Sequence, residues 1–132
     1  MNITKEKFED VINNEWLLTN GIGGFSCSTI SNCNTRKYHG LLVAALKKSG
    51  ERFLCLSKLN ESILIKGSEY SFSTNECYNY IEKGYQYLEE FTKNYLPCWR
   101  YNIKNVNVEK EISMKYNENK IAVTYKIKTA NL

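Results

Sequence analysis

The sequence predicts an all-β chain, a two-sheet antiparallel β-sandwich with a short N-terminal helix. Three observations lead there. Three consecutive C-terminal segments alternate apolar and polar residues with period two, several earlier apolar runs are short and bounded by turn residues, and helical spacing is confined to the N-terminal segment. Seven or so short strands separated by turns bury their apolar faces by meeting as two sheets. At 132 residues, 42% of them apolar, the chain has material for one core and reads as a single domain over 1–132.

The elements follow in order. Residues 4–12 read as the helix, because Phe8, Val11 and Ile12 share a face behind a Thr4 cap. A strand around Trp16 and a strand over 25–30 flank Gly21-Ile22-Gly23-Gly24, which predicts a tight turn with positive φ. Residues 41–46 are an unbroken apolar run, expected to be buried on both faces, and 52–59 form the next strand after a turn at 47–50. Residues 62–65 and 70–73 flank Lys66-Gly67-Ser68-Glu69 as a hairpin. Residues 74–84 read as a long irregular loop, and loops of that length are often functional or pack on a neighbour. Pro97 opens the strand of Trp99, Tyr101 and Ile103; 106–116 and 121–127 continue the alternation across an Asn117-Glu118-Asn119 turn. Trp99, Tyr101, Val108, Ile112, Val123 and Tyr125 are therefore expected to point inward. The sequence stops directly after this last strand, which reads as a truncation.

Composition excludes several classes. The net charge of +4 comes from lysines scattered along the chain, without the basic stripe or reader motif of a nucleic-acid-binding protein. The N-terminus lacks a signal-peptide core and no apolar stretch is long enough to span a membrane, so no membrane association and a cytoplasmic location are expected. Cys27, Cys33, Cys55, Cys77 and Cys98 contain no C-x-x-C pair and fit reduced thiols. With His39 as the one histidine, no metal site is expected, and no motif calls for a cofactor.

The motifs carry less than their letters promise. The Gly21–Gly24 run lacks the third glycine of a dinucleotide site, where Ser26 stands, and no Gly-Lys-Ser/Thr follows for a phosphate loop. Residues 24–28 fall one short of a nucleophile elbow and lie between strands, where a strand-to-helix turn is required. Glu109 and Glu111 share a strand face about 6.6 Å apart, the spacing of an inverting glycosidase pair, but on the polar side of an alternating strand. Glu89 and Glu90 lie beside Tyr87 and Phe91, which could desolvate one of them.

The densest chemistry lies in 15–25 and 34–46. Asn20, Asn34, Arg36 and His39 offer directional hydrogen bonds next to the flat faces of Trp16 and Tyr38, the mixture that saccharide hydroxyl rims and C–H faces require. Satisfaction of loop amides and carbonyls explains the same residues equally well. These two segments, with T-N-G-x-G-G at 19–24, N-T-R-x-Y-H-G at 34–40, L-S-K-L at 56–59, S-T-N-E at 73–76 and G-Y-Q-Y-L-E-E-F at 84–91, resemble the N-terminal domain of prokaryotic glycogen debranching enzymes of the amylo-α-1,6-glucosidase type. The resemblance runs from about Glu15 to Ile127. It implies a supersandwich-like domain placed before an (α/α) toroid, absent from this chain, whose carboxylates hydrolyse the α-1,6-linked glucosyl residue at a glycogen branch point. The implied partners are that catalytic domain and α-glucan, as glycogen or limit dextrin. Trp16, Asn20, Arg36, Tyr38 and His39 are the candidates for sugar or interdomain contact, expected at one edge of the sandwich and with no catalytic residue among them. Lys37 stands where the resemblance leads one to expect a second arginine, leaving Arg36 as the only guanidinium of the element. Two rival readings are a free-standing carbohydrate-binding module and an independent hydrolase acting through Glu89 or Glu90.

Overall fold

The computed structural model describes residues 8–46, 48–77 and 80–129. Helix α1 (Phe8–Asn13) comes first, and the expected start at Thr4 lies outside the described residues. Val11 is fully buried. Backbone bonds from Ser31 N to Val11 O and from Ile30 N to Asn14 O, at 2.9 and 2.8 Å, anchor the helix exit to the chain beyond the second strand.

Strands β1 (Glu15–Thr19), β2 (Phe25–Thr29), β3 (Gly40–Ala45) and β4 (Arg52–Leu56) form an antiparallel sheet in that order. Gly21 and Gly23, with φ of 83° and 92°, make the β1–β2 turn as expected. Two hairpins follow, β5 (Ser62–Ile65) with β6 (Ser68–Ser71) and β7 (Thr74–Cys77) with β8 (Tyr80–Lys83). A 3₁₀ turn (Gly84–Tyr87) then leads into the second antiparallel sheet, in which β9 (Leu88–Lys93), β10 (Pro97–Ile103), β11 (Val106–Met114) and β12 (Ile121–Thr129) again lie in chain order.

The two sheets meet through tryptophan. Trp16 of β1 and Trp99 of β10 touch edge to face, centroids 5.4 Å apart, and Phe91 of β9 lies 5.2 Å from Trp99. Leu41, Tyr101, Ile103, Val108 and Ile112 extend the same core. Trp99 Nε1 donates to Ile30 O at 2.7 Å, so this buried ring leaves no orphan N–H. The chain is all-β with antiparallel sheets and one short helix, as its sequence predicts.

Several details differ. Of the expected loop over 74–84, Thr74–Cys77 and Tyr80–Lys83 pair as strands β7 and β8 and Gly84 starts the 3₁₀ turn, while residues 78 and 79 lie outside the described residues. The cross-strand polar pairs of β7 and β8, such as Asn75 Nδ2 to Glu82 Oε2 at 2.6 Å, give no apolar alternation to read. Strand β9 escaped notice because it is bulged: Glu90 faces Arg100 and Leu88 faces Tyr101, leaving Glu89 as the extra residue that breaks the period. Of the residues expected inward, Trp99, Tyr101, Val108 and Ile112 are buried, Val123 is half-buried and Tyr125 is 40% exposed. β12 is an outer strand of its sheet, so its inner face lies at the margin of the sandwich. β3 is less enclosed than expected, with Leu42 and Ala44 half-buried. β4, the outer strand of the first sheet, ends at Leu56 and exposes Phe53 and Leu54.

Candidate functional site

Glu15 and Trp16 are neighbours on β1, so the indole enters the core while the carboxylate faces the other way. Segment 34–39 folds back toward that carboxylate. Thr35 N and Arg36 N both donate to His39 Nδ1, at 2.9 and 3.0 Å. That lone pair is taken, so the proton of the neutral ring sits on Nε2 and points to Glu15 Oε1, 3.1 Å away. Arg36 Nε lies 2.7 Å from the same oxygen, and the Tyr38 hydroxyl donates to Oε2 at 3.2 Å. Arg36, Tyr38 and His39 thus converge on Glu15. The imidazole is buried, whereas the Arg36 side chain is 59% exposed and Tyr38 is 47% exposed.

Trp16 and Asn20 do not join them at an exposed edge. Trp16 is a core residue whose Nε1 donates to Thr29 O and Asn32 Oδ1, both at 3.1 Å. Asn20 is fully buried and clips two turns together. Its Oδ1 accepts from Ile22 N and Gly24 N at 3.1 and 2.9 Å, and its Nδ2 donates to Glu118 O and Asn119 Oδ1 at 3.0 Å. Polarity misled here, because a buried amide is satisfied by turn backbone as readily as by a ligand.

Beside the Glu15 cluster lies an open groove of about 610 Å³. Lys37, Tyr38 and His39 form one wall; Phe25, Val43, Arg52 and Leu54 of β2, β3 and β4 form the rest. The Arg52 guanidinium lies over the Phe25 ring at 5.8 Å while its Nε donates to Gly23 O at 3.0 Å. Aromatic faces, a phenol and two cations in one groove match a polyhydroxylated ligand with an apolar face. The sequence reading missed Glu15 as the common acceptor, and the groove's far wall because residues 25, 43, 52 and 54 meet only through strand pairing.

The family model described as "Glycogen debranching enzyme N terminal" matches residues 14–131. The chain belongs to this family. No curated protein and no solved structure matches it. The matched range of this debranching-enzyme N-terminal domain includes the whole Glu15 cluster and the groove.

Glu89, Glu90 and Glu109 of the debranching-enzyme domain sit against cations on the sheet surface. The β9 bulge sets Glu89 and Glu90 on one side of Arg100, 3.6 and 3.3 Å from it, and Glu109 lies 3.9 Å from Lys128. A buried charge network went unread in the sequence. Lys110 takes the inward position between Val108 and Ile112, with Nζ 2.9 Å from Glu61 Oε1 and 5.3 Å from the Trp99 ring centroid. The Tyr125 hydroxyl donates to Glu61 Oε2. Burial lowers the Lys110 pKa against the opposing pull of Glu61, and burial with the Glu61 contact raises that of Tyr125. The parity of β11 alone places Lys110 inward, a signal available before the structure.

Glu15, Cys27 and His39 bring donor atoms within 4.8 Å of one another. They do not fit a metal. His39 Nδ1 already accepts from two amides and Nε2 carries the proton, while Glu15 is shared with Arg36 and Tyr38. Burial and the Glu15 charge raise the Cys27 thiol pKa, so it stays protonated.

Proposed function

We propose that this chain is a non-catalytic N-terminal domain of a glycogen debranching enzyme that packs on the glucosidase domain and holds α-glucan in the Tyr38 groove. The observation that carries the reading is the juxtaposition, within the family-matched range, of an exposed Tyr38 ring with the cations and apolar wall of that groove. A glucose ring would lay its C–H face on Tyr38 while Lys37 and Arg52 meet its hydroxyls. Glu89, Glu90 and Glu109 argue against an independent hydrolase, since each contacts a cation and none is placed as one of two carboxyls flanking a sugar.

The test has two arms. Glucose release from limit dextrin by the purified chain should be nil, and turnover that vanishes on Glu89→Gln or Glu90→Gln would sink the non-catalytic reading. Calorimetric titration with maltoheptaose should show weak binding that falls at least about tenfold in Tyr38→Ala, a loss of about 1.4 kcal/mol. Binding unchanged in Tyr38→Ala would move the glucan elsewhere.

A further inference from the structure

On the inner side of the first sheet lies a recess of about 20 Å³, enough for one small solute, lined by Trp16, Asn32, Asn34, Ser57, Lys58 and Lys110 among others. Its polar groups are unbalanced. Its acceptors each already take a bond: Asn32 Oδ1 takes the Trp16 indole N–H at 3.1 Å, Asn34 Oδ1 takes Ser28 Oγ at 2.7 Å, and the Ser57 carbonyl and hydroxyl take Asn34 Nδ2 at 3.0 and 3.3 Å. Donors are in excess. Asn32 Nδ2 is buried, and the Tyr101 phenol near it lies outside good hydrogen-bond geometry. Each lysine ammonium carries three N–H groups, and the bonds seen are one from Lys58 to Thr74 O and one from Lys110 to Glu61.

Charge points the same way. Lys110 pairs with the buried carboxylate of Glu61, which also takes the Tyr125 hydroxyl and acts on Lys58 without an ion pair. Glu82, the other carboxylate acting on Lys58, is held by Ser71 and Asn75. Burial lowers the pKa of both lysines; on Lys58, Cys33, Glu61 and Glu82 oppose that shift and the Lys110 charge adds to it. A water molecule accepts from two donors at most, whereas an anion can accept from Asn32, Lys58 and Lys110 together. An anion needs donors only.

We propose that the recess between Lys58, Lys110 and Asn32 binds a monovalent anion of chloride size. Bound there, it would answer Asn32 Nδ2, relieve the repulsion between the two ammonium groups and pin segment 57–59 against both sheets. This site lies apart from the Tyr38 groove and holds whether or not that groove takes glucan.

The test uses the whole 132-residue chain. Melting in sodium chloride and in sodium gluconate at equal ionic strength should differ, with the Tm about 3–6 °C higher in chloride, and Lys58→Met should abolish the difference. Crystals grown in sodium bromide decide independently of any variant's folding. An anomalous bromide peak in the recess supports the site, whereas a water there, or bromide only on surface lysines, overturns it. Equal Tm values in the two salts overturn it as well.

Discussion

Three side chains converge on Glu15, and the effect of removing each depends on what it leaves behind. Arg36 is an exposed partner, so Arg36→Ala should cost less than about 1 kcal/mol and leave the fold intact. His39→Ala strands the Thr35 and Arg36 amides and should cost about 1–3 kcal/mol, a contrast that urea unfolding of the two variants checks. The larger effect belongs to Lys110. Lys110→Met leaves Glu61 buried beside the Tyr125 hydroxyl without its cation and should destabilise the chain by about 3–5 kcal/mol. Changing both partners, as Lys110→Met with Glu61→Leu, should recover most of that loss in the same measurement. At this scale the sequence was readable by residue type but not by burial. Arg36, Tyr38 and His39 do meet, yet Asn20 and Trp16, chosen for the same polar and aromatic character, are spent on a turn and on the core.

Strands were legible where burial is one-sided. β10 and β11 alternate cleanly because one face lies on Trp99 and its neighbours and the other meets solvent. Where a bulge shifts the phase, as at Glu89, or where pairing is polar, as in β7 and β8, the period disappears from the letters although the hydrogen bonds remain. The 3₁₀ turn after that hairpin is the tightest joint in the fold. A Cβ at Gly84 would come within 2.4 Å of the Phe72 carbonyl oxygen and within 2.3 Å of the Ser73 oxygen, both backbone atoms that cannot swing aside. Gly84→Ala should therefore cost about 3 kcal/mol. Gly67→Ala, in an open turn at φ 81°, should cost only the left-handed strain of about 1–2 kcal/mol. Guanidinium unfolding of the two variants side by side tests that ordering.

Across the whole molecule, stability should fall in alkali. Burial holds the Tyr101 phenol well above its ordinary value of 10.0, with the charge of Glu61 adding to the effect. Unfolded tyrosine ionises near 10.0 while the folded residue keeps its proton, so this contribution is complete below that pH and is lost as pH rises beyond it. Lys110 acts oppositely: its lowered pKa means stability rises with pH up to about 10.5, the unfolded value. Melting temperatures should accordingly drop above about pH 10.5, and Tyr101→Phe should flatten the drop. The two sheets have a further property in common. In each, every strand pairs with the next along the chain, so each sheet can zip by short local closures, and the non-local step is the joining of one sheet to the other. The chain has two tryptophans, and they touch each other at that junction. Indole fluorescence therefore times the docking of the layers, and far-ultraviolet circular dichroism times the hairpins. In stopped-flow refolding the dichroism should develop first and the fluorescence last; simultaneous traces would mean that layers and hairpins form in one event.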